Sequence, residues 1–331
     1  MGRKEIEKMS ISALYHKYGI FIILIAMIII SSILNPIFLS RANIINVVRQ
    51  LAVVMIIACG AQFVMICGMI DLSPGAVLAL AGCIGCMTYV ATESVVLAVL
   101  ASVGVGALVG LVMGFIITQF NLLPFIMTLA MMNIARGLAL IFTDGKPINK
   151  IGKLAVIGQG YIGPIPIPII IMAACVVIIW LVSSKTKFGR YTYAVGGNQN
   201  AAEACGINVK MIKLKSYIID GALVGLSGIV LMSRINSGQP AMGDGYEFDA
   251  ITAIIVGGTS MTGGAGSILG TLVGGLIVSI INNILNLQNV STYYQQVIKG
   301  IIIAVAVLID VSTKAPSKRK RVFEKSGEKA R

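Results

Sequence analysis

The peptide Gly-Met-Ile-Asp-Leu-Ser-Pro-Gly at residues 68–75 lies between two long apolar runs. Proline has no backbone donor and disfavours helix in the residue before it, so the first run should break here and a new helix should begin at Pro74. Asp71 places a carboxyl group beside apolar sequence, where an unpartnered charge is costly. Asp71 or Ser73 can cap the new helix. The peptide is thus either a cap at a membrane boundary or a break in a helix that lines a polar path.

A second interruption, Gly-Gly-Thr-Ser-Met-Thr-Gly-Gly-Ala-Gly at residues 257–266, also separates two apolar runs. Paired interruptions in the two halves of a transporter indicate its binding region. The glycines do not form a phosphate-binding loop, because the lysine of that motif is missing. The likeness between the two interruptions is loose, so an internal repeat is only one interpretation of it.

The composition predicts a membrane protein. Of 331 residues, 57% are hydrophobic and only 12% charged, with a mean hydropathy of +0.92, which excludes an ordinary water-soluble or disordered chain. We therefore expect an all-α polytopic membrane protein with about ten transmembrane helices, some of them broken. The candidate stretches are 19–34, 44–69, 75–92, 95–117, 122–142, 164–183, 215–234, 249–259, 266–286 and 295–310. The stretch 249–259 is too short to cross a bilayer alone.

The basic residues predict the orientation. Of the 26 Lys and Arg, 4 lie in residues 1–18, 6 in 183–215 and 8 in 312–331. With an even number of spans all three stretches fall on one side, which the positive-inside rule makes cytoplasmic. We therefore expect a cytoplasmic tail over residues 1–18, a transmembrane domain over 19–311 and a basic cytoplasmic tail over 312–331. So little aqueous surface remains that the net charge of +13 does not indicate a nucleic-acid partner.

Glycines at helical spacing predict tight helix packing. Gly106, Gly110 and Gly114 share one helix face, with Gly104 nearby, and Gly266, Gly270 and Gly274 repeat the spacing. Small residues let helix backbones approach closely in lipid.

The polar loop at residues 184–214 should carry a short helix on the cytoplasmic side. Asn198 or Asn200 can cap a helix through residues 201–205. Gly206 then suits a left-handed stop. Small side chains would let this helix sit deep in a partner's groove.

Several separated motifs resemble the ribose-type permease subunits of ATP-binding-cassette importers, over about residues 15–311. Asn-Ala-Ala-x-x-x-Gly at 200–206 is similar to the Glu-Ala-Ala coupling motif of these permeases, with Asn in place of Glu. The other matching segments are Gly-Arg-Tyr-x-x-Ala-Val-Gly-Gly-Asn at residues 189–198, Ile-Asp-Leu-Ser-x-Gly at 70–75, and the segments 239–251, 256–260 and 282–286. Pro74 departs from the family pattern.

This resemblance implies a bacterial cytoplasmic-membrane subunit that performs no covalent chemistry and holds no metal or cofactor. It implies three partners: a cytoplasmic ATPase subunit, an extracytoplasmic sugar-binding protein and a second copy of the permease. The residues expected to contact the ATPase are Gly196, Gly197, Asn198, Asn200, Ala201, Ala202, Glu203 and Gly206. The segment 239–249 is expected near the outer face.

We expect a monosaccharide such as ribose to pass between two identical bundles by alternating access. The candidates for the polar lining are Asp71, Ser73, Thr259, Ser260, Asn282 and Asn283. Asn282 and Asn283 have an alternative role, since such amides also bond between helices.

Other functions stay open at this point. The substrate of such a permease could also be a nucleoside or a sugar-like signalling molecule. A channel or secondary carrier would work without an ATPase, and a membrane enzyme would need a clustered catalytic set that the sequence does not offer.

Overall fold

The computed structural model describes residues 11–314, and over this range it is 78% helical. It therefore confirms an all-α membrane protein. The helices are α1 Ile11–Leu34, α2 Arg41–Ile66, α3 Pro74–Thr92, α4 Val95–Phe120, α5 Pro124–Thr143, α6 Val156–Gln159, α7 Ile167–Lys185, α8 Lys187–Gly197, α9 Gln199–Ala204, α10 Val209–Ile235, α11 Tyr246–Val256, α12 Ile268–Leu287 and α13 Thr292–Lys314. A short 3-10 helix, Gly152–Ala155, precedes α6, and two short strands, β1 Tyr161–Ile162 and β2 Ile165–Pro166, form a small antiparallel hairpin before α7.

Every predicted apolar stretch overlaps a helix, but the helices differ in length. Within the described residues, seven are long and apolar enough to cross a membrane: α2, α3, α4, α5, α7, α10 and α12. The apolar part of α1, Gly19–Leu34, is shorter, although the helix begins at Ile11, inside the predicted tail. The 11 residues of α11 rise about 16 Å, roughly half of the hydrocarbon core. The predicted tails at 1–18 and 312–331 otherwise lie mainly outside the described residues.

The helix α2 is the centre of the bundle, because its side chains are buried on every face from Leu51 to Ile66. An apolar helix without a polar face is the type that a protein interior can surround completely. On one side α2 packs against α10, where the Ser227 hydroxyl donates to the Val53 carbonyl oxygen (3.1 Å). On another side it reaches α12 through Asn43 and Asn283, whose amides bond to each other in both directions.

The predicted glycine face joins α4 to α10. A Cβ atom at Gly106 or Gly110 would overlap the backbone of α10 at Gly221 or Tyr217, and Gly114 lies against Leu214. Gly104 has open space around it and is not part of this contact. In the second glycine series, Gly270 and Gly274 pack α12 against α11, whereas Gly266 lies in the loop before the Ser267 cap.

Both predicted interruptions are present as breaks between helices. At the first interruption, α2 ends at Ile66 and the chain turns at Gly68 (φ +75°) before α3 begins at Pro74, as the sequence predicted. The second break lies between α11 and α12, and Gly258, Gly263 and Gly264 have positive φ there.

A third break precedes α11. Gly238 forms a backbone bridge with Ile148 and adjoins Cys86 of α3, whereas Gly243 adjoins Gly75 in the first turn of the same helix. From Cys86 back to Gly75 the helical rise is about 16 Å. The segment 238–245 therefore descends along α3, and α11 begins deep beside the first turn of that helix.

We predict that Gly110→Leu lowers the thermal unfolding midpoint of the purified protein, whereas Gly104→Leu changes it little. A side chain at Gly110 would collide with the backbone at Tyr217, and overpacking costs about 1–3 kcal/mol. Gly104 is the matched control, since it lies on the same helix with open space around it. Equal effects of the two changes would contradict the assigned contact face.

Candidate functional site

The predicted coupling segment forms two short helices, each begun by its own cap. The Thr186 hydroxyl accepts from Gly189 N (3.1 Å) at the start of α8, and Asn198 Oδ1 accepts from Ala201 N (3.0 Å) at the start of α9. Of the two caps that the sequence allowed, the structure uses Asn198. Gly206 has φ +80° just after α9, which agrees with the predicted left-handed stop.

One face of α9 is exposed, and its opposite face is fixed to the bundle. Ala202 is buried and packs with Val195, Val209 and Ile212. The other members of the predicted set are exposed apart from half-buried Gly196: they are Gly197, Asn198, Asn200, Ala201, Glu203 and Gly206. The structure thus presents small and polar groups on a helix that is held from below by apolar contacts.

Three backbone segments meet beneath α8, and we call this contact the glycine junction: residues 66–68, 196–197 and 262–264. Gly264 N donates to the Ile66 carbonyl oxygen (2.9 Å). A Cβ atom at Gly196 would overlap that same carbonyl oxygen and Gly264 N. Nearby, the Tyr193 hydroxyl donates to Gly266 O (2.9 Å). The glycine junction therefore brings the predicted coupling segment into contact with both interruptions.

Asp71 and Ser73 bond to each other, and Asp71 does not cap the first turn of α3. Asp71 Oδ1 accepts from both the backbone N and the hydroxyl of Ser73, each at 2.7 Å. Ser73 occupies the N-cap position without a side-chain bond to the first turn. The expected cap is therefore wrong. The Asp71 carboxyl group instead holds Ser73, whose backbone is already in the α-helical region (φ −85°, ψ −15°). Pro74 then takes the first helical position, which suits proline.

The Asp71 carboxyl adjoins a second buried carboxyl group, that of Asp220 on α10. Neither Asp220 oxygen has a hydrogen-bond partner among the described residues, and neither has the Tyr217 hydroxyl. The sequence offered a signal for Asp220, since a carboxylate inside an apolar span is rare and commonly functional. Only the fold shows that it faces Asp71.

Thr259 and Ser260 lie in the second break and are both buried. Thr259 Oγ1 accepts from Gln62 Nε2 (2.8 Å), and Gln62 Oε1 accepts from the Thr271 hydroxyl (2.6 Å). The Ser260 amide donates to Ala265 O across the loop (2.9 Å). Gln62 connects α2, the break and α12, and sequence analysis missed it because a lone amide in an apolar helix does not indicate its partners.

Asn282 and Asn283 both make bonds between helices. Asn282 Nδ2 donates to Asp249 Oδ2 on α11 (3.1 Å), which also accepts from Lys299 Nζ on α13 (2.9 Å). Asn283 exchanges bonds with Asn43 on α2 at 2.8 and 2.9 Å. The alternative role that the sequence left open for the two amides is therefore present in this conformation.

Comparisons with known proteins identify the family. A family described as "Branched-chain amino acid transport system / permease component" matches residues 43–307. The ribose import permease protein of Bacillus subtilis is 45% identical over 92% of this chain and 96% of its own length. The corresponding protein of Escherichia coli K12 is 40% identical over 87% and 92%, and the D-allose transport system permease protein of that strain is 37% identical over 89% and 92%.

No solved structure matches the chain. The family description names branched-chain amino acid transport, whereas these relatives are sugar permeases, and the relatives align over nearly their whole lengths. The chain therefore belongs to this family of permease components, in its ribose-type group, and it is a multi-pass transport subunit of the bacterial inner membrane and not an enzyme.

Proposed function

We propose that this chain forms the membrane path of an importer for ribose or a related monosaccharide. A separate ATPase subunit drives the transport, and an extracytoplasmic sugar-binding protein delivers the sugar. The relatives named for ribose and allose import support the substrate class. The observation that carries the ATP-driven mechanism is the glycine junction, because it connects an exposed helix to two breaks in the bundle.

The membrane arrangement that we propose has ten crossings with both termini in the cytoplasm. The tails correspond to residues 1–18 and 312–331, and the transmembrane domain to 19–311 with the coupling loop 184–214. The seven long helices are joined by α1, by α13 and by α11 with its descending segment. In this arrangement α9 is the cytoplasmic coupling helix, and its basic surroundings agree with the positive-inside rule.

Two copies of the chain would form the path, and each would receive one ATPase contact at α9. The residues proposed for that contact are Gly196, Gly197, Asn198, Asn200, Ala201, Ala202, Glu203 and Gly206. A force on α9 reaches the breaks through Gly196 and the backbone of Ile66. Movement at both breaks would then open the path alternately to the two sides of the membrane.

The polar lining proposed for that path comprises Asp71, Ser73, Thr259, Ser260, Asn282 and Asn283. Each of these side chains is buried in this conformation. Apart from Asp71, these side chains carry uncharged hydroxyl and amide groups. Such groups can exchange hydrogen bonds with a neutral, hydroxyl-rich solute without leaving a buried charge unpaired. The bonds that Asn282 and Asn283 make between helices would have to open for sugar to pass.

The orientation can be tested with the native cysteine Cys205, which is exposed while the other five cysteines are buried. We expect a membrane-impermeant maleimide to label it in inside-out vesicles and not in right-side-out vesicles. The control is Asp144→Cys in a Cys205→Ser chain, because Asp144 is exposed in the loop after α5. Its labelling should show the opposite pattern. Labelling of Cys205 from outside alone would place α9 on the exterior and contradict the proposal.

The coupling role predicts different outcomes for two adjacent glycines. Gly196→Ala should reduce ATP-driven uptake by about tenfold, because the new Cβ overlaps backbone atoms and overpacking costs about 1–3 kcal/mol. Gly197→Ala is the matched control, since that position has open space. Uptake and ATP hydrolysis would be measured in proteoliposomes containing both subunits. The glycine junction has no coupling role if both variants transport like the unaltered protein.

The proposed lining can be separated from simple helix pairing by comparing Asn283→Ala with Asn43→Ala. Each change removes the same reciprocal amide pair, but only Asn283 belongs to the proposed lining. We expect Asn283→Ala and Asn43→Ala to lower the thermal unfolding midpoint equally, but Asn283→Ala should reduce sugar uptake several-fold more than Asn43→Ala. Asn282→Ala should reduce uptake as much as Asn283→Ala. Equal sugar uptake by the Asn283→Ala and Asn43→Ala variants would assign Asn283 to helix packing alone.

A further inference from the structure

A cavity of about 310 Å³ opens between α3, α5 and the segment 239–247. Its polar lining consists of Asn133, Arg136, Asp244 and Glu247, and its apolar lining includes Ala76 and Leu140. Small-molecule pockets span about 300–1,000 Å³, so this volume suits a ligand of monosaccharide size. None of the residues proposed above for the polar path lines this cavity. We call it the α5 cavity.

Arg136 is fixed at one wall of the α5 cavity by several partners. Its NH1 nitrogen donates to the carbonyl oxygens of Pro240 (2.6 Å) and Met242 (2.7 Å). Its NH2 nitrogen forms an ion pair with the exposed Asp244 carboxylate. Through these bonds the guanidinium holds the descending segment in place as a wall of the cavity. Its positive charge also offsets the negative charge of Asp244 close to Glu247.

Glu247 is the unusual group in the lining. It is only 6% exposed, and its Oε1 accepts from Gly245 N at 3.2 Å. Its Oε2 has no hydrogen-bond partner among the described residues and lies against Gly75 in the first turn of α3. A buried carboxylate oxygen without a donor is costly, so Oε2 is left unsatisfied in this conformation.

The surrounding backbone favours this carboxylate without satisfying it. Glu247 stands in the first turn of α11 and adjoins the first turn of α3, so two helix N-termini converge on it. Helix N-termini stabilise negative charge. A ligand that brought a second negative charge here would be repelled by Glu247 and Asp244. A neutral ligand could instead offer hydroxyl donors to the carboxylate once Oε2 turns from Gly75 toward the cavity.

Asn133 completes the lining on the side of α5. Its side chain is exposed, and its Nδ2 donates to Leu129 O one turn earlier (3.0 Å). Its Oδ1 is an additional acceptor at the wall of the cavity. Sugar hydroxyls donate hydrogen bonds, and the amide oxygen of Asn133 and the carboxylate of Glu247 are acceptors for them.

We propose that the α5 cavity is a monosaccharide-binding station of the permease itself, in which Glu247 and Asn133 bond to sugar hydroxyls. Arg136 is a positioning residue that holds the wall in place. This inference rests on the proposed function and adds a sugar contact within this chain. Ala241 and Asp244 of the descending segment 238–245 form part of the wall. A sugar bound here would therefore bridge that segment and α5.

The test uses the complete importer in proteoliposomes, with the ATPase subunit, the binding protein, and D-ribose, D-allose and L-arabinose as probes. Glu247→Gln keeps the shape and one acceptor but removes the charge. We expect at least about a tenfold loss of uptake at limiting sugar, as for a lost hydrogen bond to a charged group. Assembly with the ATPase and the thermal midpoint should stay unchanged. The control is Asp144→Asn, which breaks an exposed ion pair with Lys146 away from the cavity and should transport normally.

A second measurement detects the sugar directly. Leu140→Cys in a Cys205→Ser chain gives an exposed thiol at the cavity wall and leaves the proposed sugar-binding side chains in place. With a non-hydrolysable ATP analogue and sugar-loaded binding protein present, the transported sugar should slow maleimide labelling of this thiol at least about threefold, while a sugar that is not transported should not. Asp144→Cys in the same background should label at one rate in every condition.

Each outcome decides the proposal. If the unaltered importer takes up one of the sugars, but Glu247→Gln transports normally or the Leu140→Cys thiol is not protected, the α5 cavity does not bind sugar. The proposed transport function would then still stand. A loss of uptake in Glu247→Gln together with a lowered thermal midpoint and no protection of the thiol assigns Glu247 to structure alone. If the unaltered importer moves none of the three sugars with ATP, the proposed function fails and this inference fails with it.

Discussion

Inside a membrane, a backbone group that leaves a helix must find a partner in the protein, because no water is available to bond to it. Breaks between packed helices meet a similar requirement, because buried backbone groups need hydrogen-bond partners. Gly264 N reaches the Ile66 carbonyl oxygen, and Gly238 pairs with Ile148. Such contacts require backbones to touch, and glycine permits the approach. The broken helices are possible because each break is closed by another segment of the chain.

The same constraint bears on the carboxyl groups of the proposed path and of the α5 cavity. Asp71 lies in the chain that follows the end of α2, and Glu247 lies where α11 begins. Both stand next to Gly or Pro residues that end or start helices, so their carboxylates meet exposed backbone amides and neighbouring side chains instead of lipid. Arg136 contributes in the complementary way, since it donates to carbonyl oxygens that the descending segment leaves free.

Local features of the fold could be predicted from the sequence, and features that depend on distant partners could not. Pro74 sets a helix start, Asn198 a cap and Gly206 a stop, because each acts within a few residues of its own position. The spacing of Gly106, Gly110 and Gly114 defines a face before the partner helix is known. Gly104 lies two residues before Gly106, about 200° around the helix, so the same spacing already excludes it from that face, and it has open space around it. The partner helix of the glycine face, α10, could not be predicted from the spacing.

The candidate site divides in the same way. The exposed face of α9 follows from its local sequence, and so does the presence of two breaks. Their meeting beneath Gly196 does not, since residues 66, 196 and 264 are far apart in the chain. Gln62, Asn43 and Asp220 were missed as contacts for the same reason: each is a single polar residue in an apolar run, and its meaning depends on a neighbour in another helix.

The complete burial of α2 between Leu51 and Ile66 separates this part of the protein from the lipid. Bilayer thickness acts on a protein through the helices that touch acyl chains. In one copy of the chain those are the helices with exposed apolar faces, such as α4, α5 and α7. Adaptation to a thicker or thinner membrane would therefore change the length or tilt of the outer helices. The length of α2 is set by its protein neighbours.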